Sequence, residues 1–366
     1  MKELFYRLFA LFFNISSALF SVKENRVTLL SPHNASFNDS LGEIKTELEK
    51  KDKYEFNFIS HADFSSLLKA ALFFTKKAYL LATSGYVFMN DNFMPLGYLN
   101  FRKETVIVQL WHAEGAFKKF GLDIEQPEAI RKRELAANKK LSYVVCSAEA
   151  LVPIYASAFG VNEKQVLPLG SPRADVLLKA ENAEQLREEF ERLHPECKNK
   201  KIVLYAPTFR DDPDSDAHFL EKFDAQAFNK ELGGEYALLV RLHPQVHGKL
   251  RLEGATDVTD YKSVNELTLI SDILITDYSS VCMDFVLLDK PCVFFAPDLE
   301  EYTSNRPFYF DYESYVPGAV ARSTAELIGC IRNAEVSEKA ENFKQFNLSG
   351  VDSNSAKRII NRIITK

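Results

Sequence analysis

Short apolar runs alternate with helical stretches along almost the whole chain, and this alternation limits the fold more than any other feature. Runs of strand character stand at 27–31, 56–61, 79–83, 105–110, 143–147 and 166–169, with helical stretches at 64–77 and 149–159 among them. Strand, helix and strand in succession form crossover units, and crossover units build a parallel sheet. A charged stretch, ENAEQLREEFERLHPECKNKK, interrupts the series. A second series then opens at KIVLYAPTF and runs through YALLVRLHP, 256–258, SDILITDYSS and PCVFFAP. The expectation is two open α/β sheets with a boundary near residues 185–200, which suits a chain of 366 residues. Open α/β sheets place ligands outside the carboxyl ends of their strands. Neither GxGxxG nor GxxxxGK[ST] occurs, which disfavours a dinucleotide dehydrogenase or a P-loop NTPase.

Hydrophobic residues make up 46% and charged residues 26%, so a disordered or low-complexity chain is excluded. A net charge of -6 argues against a nucleic-acid binder. The total hides a local reversal, because residues 102–140 hold nine Lys/Arg against six Asp/Glu, including Arg131, Lys132, Arg133, Lys139 and Lys140. The five cysteines (Cys146, Cys197, Cys282, Cys292, Cys330) form no CxxC pair and no zinc-type cluster. Buried thiols in a reducing compartment are the simplest account.

Phe is over-used. There are 29 against a single Trp, and Phe5, Phe9, Phe12, Phe13 and Phe20 fall in the first twenty residues. Arg7, Asn14, Ser16 and Ser17 interrupt that segment too often for a membrane span, and no small-residue cleavage site follows Phe20. Leu4, Leu8, Leu11 and Ile15 recur at helical spacing. This fits an amphipathic helix lying on a bilayer or, equally, a first helix packed into the domain.

Several polar clusters follow expected strands. Trp111-His112-Ala113-Glu114-Gly115 comes after 105–110, and a His beside a Glu at a strand end is suited to general-base work, although an isolated His is more often structural. Thr208 and Arg210 follow the strand KIVLY and form a natural phosphate clamp, or a turn with a salt-bridged Arg. His243 ends YALLVRLHP. His194 sits in the same dipeptide with no strand before it and receives no role. The run SDILITDYSS delivers Asp277, Ser279 and Ser280 to a strand end, with a helix expected over 281–288. That would set two hydroxyls at a helix start, where simple capping accounts for one of them. Arg173, in GSPRAD, either faces a ligand cleft or pairs with Asp175.

Together QLWHAEGAFKKFG, LGSPRADVL, VLYAPTFRDD, LLVRLHP, NELTLISDILITDYSSVCMDF and DLEEYTSNRPFYFDYESYVPG resemble the CDP-glycerol glycerophosphotransferase family, which builds wall teichoic acids. WHAEGAFKKFG is similar to the segment of primases rather than of polymerases. The resemblance implies a GT-B architecture of two Rossmann-like domains facing a cleft. The expected division is a membrane-associating helix at 1–22, an acceptor-side domain at 23–190 and a CDP-polyol-binding domain at 191–366, with the last helix free to return to the first domain. It also implies the following reaction. An acceptor hydroxyl attacks the β-phosphorus of CDP-glycerol and CMP leaves, with His112 and His243 catalytic and Glu114 orienting His112. Thr208, Arg210, Ser279, Ser280 and Arg173 would bind the donor. Asn265 and Glu266 would contact ribose or cytosine, and Asp277 would fix the serine loop. No metal is required, with room left for an assisting Mg²⁺. The partners implied are CDP-glycerol, an undecaprenyl-pyrophosphate-linked disaccharide and the cytoplasmic face of the membrane, with no nucleic acid. A ribitol-phosphate or capsular polyol-phosphate transferase, or a catalytically silent GT-B scaffold, are the alternatives.

Overall fold

A computed structural model describes the chain except residues 1, 33–36, 38, 61–62, 64–70, 211–212, 244–245, 247–250 and 365–366. The chain divides into two units, Met1–Leu178 with Asn347–Lys366, and Lys179–Phe346.

The first unit holds a six-stranded parallel sheet of β1 (Lys23–Ser31), β2 (Glu55–Ser60), β3 (Ser84–Met89), β4 (Val106–Gln109), β5 (Tyr143–Val145) and β6 (Val166–Leu167). Their order is β2-β1-β3-β4-β5-β6. The direction of winding reverses between β1 and β3, and ligand crevices form outside the carboxyl ends at such a reversal. Val27, Leu29, Phe88 and Val108 face a core completed by Ile359, Ile360 and Ile363 of the C-terminal helix Ser355–Ile363. Asp175 accepts from the amides of Ser355 and Ala356 at 3.1 and 2.9 Å and so holds the start of that helix.

The second unit repeats the plan with β7 (Lys201–Tyr205), β8 (Tyr236–Val240), β9 (Thr256–Asp257), β10 (Ile273–Thr276), β11 (Cys292–Phe295) and β12 (Ala319–Ala321), ordered β12-β11-β10-β7-β8-β9. Here the reversal lies between β7 and β10. All pairings in both sheets are parallel, and the central strands are buried along their length, as crossover sheets require.

Two expectations differ from the structure, and a third lies partly outside the described residues. The run at 79–83 is not a strand. It forms the helix Ala78–Ala82 ending at Thr83, because Ala and Leu favour a helix and a short apolar run has no period to decide the matter. The strand begins at Ser84, where a β-carbon on Gly85 would come within 3.0 Å of the Lys23 carbonyl, so the close approach of β1 needs a glycine. The helix expected over 64–77 falls partly outside the described residues. The division between units comes at Leu178/Lys179 rather than 190/191. Helix Ala183–Leu193 joins the second unit, where Arg187 donates to the Ile270 carbonyl at 2.9 Å and to Asp272 at 2.8 Å.

The first helix, Lys2–Leu19, is buried on one side and exposed on the other. Phe9 and Phe13 are fully buried, and Asn14 and Ser17 donate to the carbonyls of Tyr98 and Asn100. Arg102 closes the last turn by donating to the Ser17 carbonyl at 2.7 Å. On the opposite side Leu4, Leu8, Leu11, Phe12, Ile15 and Leu19 are exposed. No helix of the described residues is long and apolar enough to cross a membrane.

Candidate functional site

In the first unit the chain leaves β4 through Trp111, a buried residue at φ 61°. A bulky side chain in the left-handed region costs of order 1–3 kcal/mol and persists only where its surroundings fix it. Here the indole stacks on Phe120 at 5.2 Å and meets the edge of Phe159 at 5.1 Å, and Trp111 N–H donates to Gln109 Oε1 at 2.9 Å. The kink turns the next residue, His112, outward to 48% side-chain exposure with its ring 4.0 Å from the indole. Behind it the loop is clamped. Tyr155 Oη donates to the Gly115 carbonyl at 3.1 Å, and Gly115 N–H donates to Ser147 Oγ at 3.1 Å. Ala116 N–H donates to Asn347 Oδ1 at 3.0 Å.

The carboxylate beside His112 is not Glu114. Glu114 is buried and accepts from Ser171 Oγ at 2.6 Å and from Arg173 Nε at 3.0 Å and Nη2 at 2.5 Å. Burial pushes its pKa up, and the Arg173 guanidinium with the Ser171 hydroxyl more than reverses this, so it titrates below an ordinary glutamate. Glu114 and Arg173 therefore form an internal strut rather than an orienting carboxylate and a donor-binding cation, and Arg173 pairs with Glu114 rather than Asp175. The group facing the imidazole is Asp91, just beyond β3, whose Oδ1 lies 3.6 Å from His112 Nδ1. Asp91 is held by its neighbours, accepting from Asn92 N–H at 2.6 Å through the carboxylate and from Gln109 Nε2 at 3.2 Å through its carbonyl. Nδ1 is thus the ring nitrogen that faces Asp91, and contacts of this length commonly shorten once substrate is bound.

In the second unit Thr208 and Asp277 lie past the carboxyl ends of β7 and β10, at the reversal of winding. Asp277 is fully buried, and its Oδ1 accepts from Thr208 N–H at 2.8 Å and Tyr278 N–H at 2.6 Å. It thus ties the two loops together. Arg210 proves to be the second half of that tie. It donates to Asp277 Oδ2 at 3.0 Å, to Asp298 Oδ2 at 2.9 Å and to the Thr208 carbonyl at 2.5 Å, with its guanidinium carbon 3.6 Å from the centre of the Phe219 ring. Burial works against its charge and the two aspartates restore it, so the net shift is upward. A guanidinium matched by two carboxylates does not clamp phosphate, and Arg210 is a positioning residue.

Thr208 differs. The residue is 9% exposed and its Oγ1 is buried without a hydrogen-bond partner. A buried hydroxyl left unpaired costs roughly 1–3 kcal/mol. Ser279 Oγ accepts from Val281 N–H at 3.3 Å, while Ser280, at the start of the helix Val281–Leu287, makes no capping bond. One of the two serines therefore does the local work and the other does not. His243 follows β8, half-buried, with its ring 4.6 Å from that of Phe209. Asn265 and Glu266 begin the helix Val264–Ile270, and Glu266 holds the Tyr261 hydroxyl. Among the described residues no group of three or more His, Cys, Asp or Glu side chains is arranged to hold a metal ion.

A family model describing CDP-glycerol:poly(glycerophosphate) glycerophosphotransferases matches residues 11–365. The chain belongs to this family. It is 33% identical over 360 residues to the teichoic acid ribitol-phosphate primase of Bacillus spizizenii, covering 95% of this chain and 92% of that one. It is 31% identical over 401 residues to the teichoic acid glycerol-phosphate primase of the same organism, covering 100% of both. Among solved structures, a histidine-to-alanine variant of the wall teichoic acid polymerase TagF superposes with a TM-score of 0.76 at 26% identity, over 94% of this chain and 89% of that one. Another TagF variant, soaked with CDPG, superposes with a TM-score of 0.78 at 24% identity, over 98% and 93%. The fold is thus α/β and GT-B-like, and the chain is a transferase of the glycerophosphotransferase family acting in teichoic acid biosynthesis.

Family motifs lead to His112, Thr208, His243 and the serine loop, but they do not disclose Asp91. It lies in the segment MNDNF, outside every motif quoted above, and only the pairing of β3 with β4 brings it beside His112. Its one signal in the sequence is a polar Asn-Asp-Asn cluster directly after an apolar run.

Proposed function

We propose that the protein transfers glycerol phosphate from CDP-glycerol to a lipid-linked disaccharide at the cytoplasmic face of the membrane, as a primase. The acceptor hydroxyl oxygen forms a bond to the β-phosphorus, the bond from that phosphorus to the oxygen bridging to CMP breaks, and CMP leaves with the bridging oxygen. His112 takes the acceptor proton through Nε2, with Asp91 favouring the imidazolium that results. Thr208, Ser280 and His243 receive the pyrophosphate as charge moves to the leaving group. The observation that carries this reading is the pair of prepared groups at the strand ends, an exposed His112 backed by Asp91 and a buried, unpartnered Thr208 hydroxyl. End-to-end similarity to a glycerol-phosphate primase supports the priming role.

A second reading, transfer of ribitol phosphate from CDP-ribitol, is favoured by the 33% identity to a ribitol-phosphate primase. One experiment separates the two. The purified chain is given CDP-glycerol, CDP-ribitol or a UDP-sugar with a short-chain lipid-linked disaccharide, and CMP release and product mass are followed. Turnover with CDP-glycerol alone supports the first reading and turnover with CDP-ribitol alone the second. Absence of CMP from both would falsify the proposal.

Membrane association follows from the same acceptor. The first helix and the helix Glu128–Asn138 both pack on the turn Met94–Tyr98. The one carries the exposed apolar stripe and the other carries Arg131, Lys132 and Arg133. Apolar burial plus basic residues, the latter worth about 1 kcal/mol each near an anionic surface, are the two signals that stable peripheral binding needs.

A further inference from the structure

We propose that Gln109 is the positioning residue of the His112–Asp91 pair, one buried side chain that ties together the two segments carrying them. The proposal rests on the reading of His112 as a base backed by Asp91. Those two residues lie on different segments, one leaving β3 and the other leaving β4. The strands pair Phe88 with Val108 and Met89 with Gln109, and Leu110 N–H donates to the Met89 carbonyl at 2.7 Å. The register ends there, so the backbone ladder does not itself set the spacing of Asp91 and His112. A base and its carboxylate need that spacing held to about half an ångström.

Gln109 is the last residue of β4, paired with Met89 on one side and next to Val144 on the other, and it is 1% exposed. Its amide reaches forward to both segments. Oε1 accepts from Trp111 N–H at 2.9 Å, and Nε2 donates to the Asp91 carbonyl at 3.2 Å. A backbone N–H only donates and a carbonyl only accepts, so the two partners decide which end of the amide points which way. The amide is planar and rigid. It therefore links the main chain of Asp91 itself to the main chain one residue before His112. Trp111 stands at φ 61°, a conformation that persists only where its surroundings impose it, and the bond to Gln109 is part of that imposition. A shorter amide does not span both groups, and an apolar side chain of the same length bonds to neither. In each case the spacing of carboxylate and imidazole loses this restraint, and a misplacement of about 1 Å can cost about a hundredfold in rate.

The test uses the full chain with the short-chain lipid-linked disaccharide and whichever of CDP-glycerol and CDP-ribitol it turns over, and follows steady-state CMP release. Gln109→Met, close in size and without either bond, is expected to lower kcat at least tenfold while the donor KM stays within twofold. Gln109→Asn keeps the amide but not its reach, should lie between Gln109→Met and wild type, and carries the test if Gln109→Met does not fold. Asn57 is the stability control, a buried amide on β2 that donates to Thr28 Oγ1 at 3.0 Å. Asn57→Ala should lower Tm and keep kcat within twofold of wild type. An equal loss of kcat in Asn57→Ala would make the effect one of general loosening and overturn the proposal. Because Gln109 acts through the pair, Gln109→Met combined with Asp91→Asn should be at most about threefold slower than the slower single variant. Losses that multiply in full, or a wild-type kcat in Gln109→Met, overturn the role of Gln109 alone. Wild-type turnover in His112→Ala, or a wild type that releases no CMP from either donor, overturns the reading of His112 and Gln109 with it.

Discussion

Asp91 Oδ1 stands 3.6 Å from His112 Nδ1, whereas Glu114, two residues along the chain from His112, is turned into a buried pair with Arg173. Adjacency in sequence points to Glu114, but the crossing from β3 to β4 puts Asp91 beside the imidazole. A carboxylate behind an imidazole base fixes the ring and stabilises the cation formed on proton transfer, and its removal leaves binding groups intact. Asp91→Asn should therefore lower kcat tenfold or more while the donor KM stays within twofold, and Asp91→Glu should restore part of the rate. Steady-state CMP release decides the point, and an unchanged kcat in Asp91→Asn would remove Asp91 from the reaction.

Glu114 should behave as a structural group. Its side chain is 2% exposed and that of Arg173 is 24%, so Glu114→Gln leaves a largely buried guanidinium without its anion, at a cost of about 3 kcal/mol. The pH dependence follows from the downward net shift. A carboxylate whose pKa is lower in the folded than in the unfolded protein contributes its full stabilisation above the unfolded value and loses it as pH falls through the folded one. The Tm gap between wild type and Glu114→Gln should hold from pH 7 down to about 4.5 and close only below that. A gap already closing between pH 7 and 5 would mean that burial outweighs Arg173.

The parallel sheets and the strand-end clusters were legible in the sequence because a crossover fold leaves an alternation of apolar runs and helices. The order of strands was not, since nothing local in β10 says that it inserts beside β7. The same limit governs the site. Thr208, His243 and the serine loop could be found as polar residues after strands, but Arg210 looks identical in sequence whether it faces phosphate or two aspartates, one of them 88 residues away. The first helix posed a choice between core and bilayer that its composition could not settle. The structure shows Phe9 and Phe13 on one side and the leucines on the other.

Thr208 and Arg210 make opposite predictions about stability. Replacing Thr208 by the isosteric Val removes an unpartnered buried hydroxyl, so Thr208→Val should leave Tm unchanged or raise it, by about 1 kcal/mol in stability, while cutting kcat/KM for the CDP-polyol tenfold or more. Arg210→Lys keeps a charge but cannot span Asp277 and Asp298 together, and should cost about 2–4 kcal/mol and activity with it. Loss of Tm with normal turnover in Thr208→Val would return that hydroxyl to a packing role.

The two sides of the first helix can be separated by substitution. Phe9 is fully buried against Phe73, with ring centroids 4.5 Å apart, so Phe9→Ala should cost about 3–5 kcal/mol. Leu8 and Leu11 are 42% and 55% exposed, and the double change Leu8→Glu with Leu11→Glu should alter stability by less than about 1 kcal/mol. If this face meets the bilayer, the double variant should lose most of its sedimentation with vesicles containing anionic lipid and keep its turnover on a short-chain acceptor dissolved in detergent. Neutralising Arg131, Lys132 and Arg133 should weaken sedimentation in low salt and matter less in high salt, because screening already removes their contribution there. A double variant that sediments like wild type would leave the leucine face without a role at the membrane, however apolar it is.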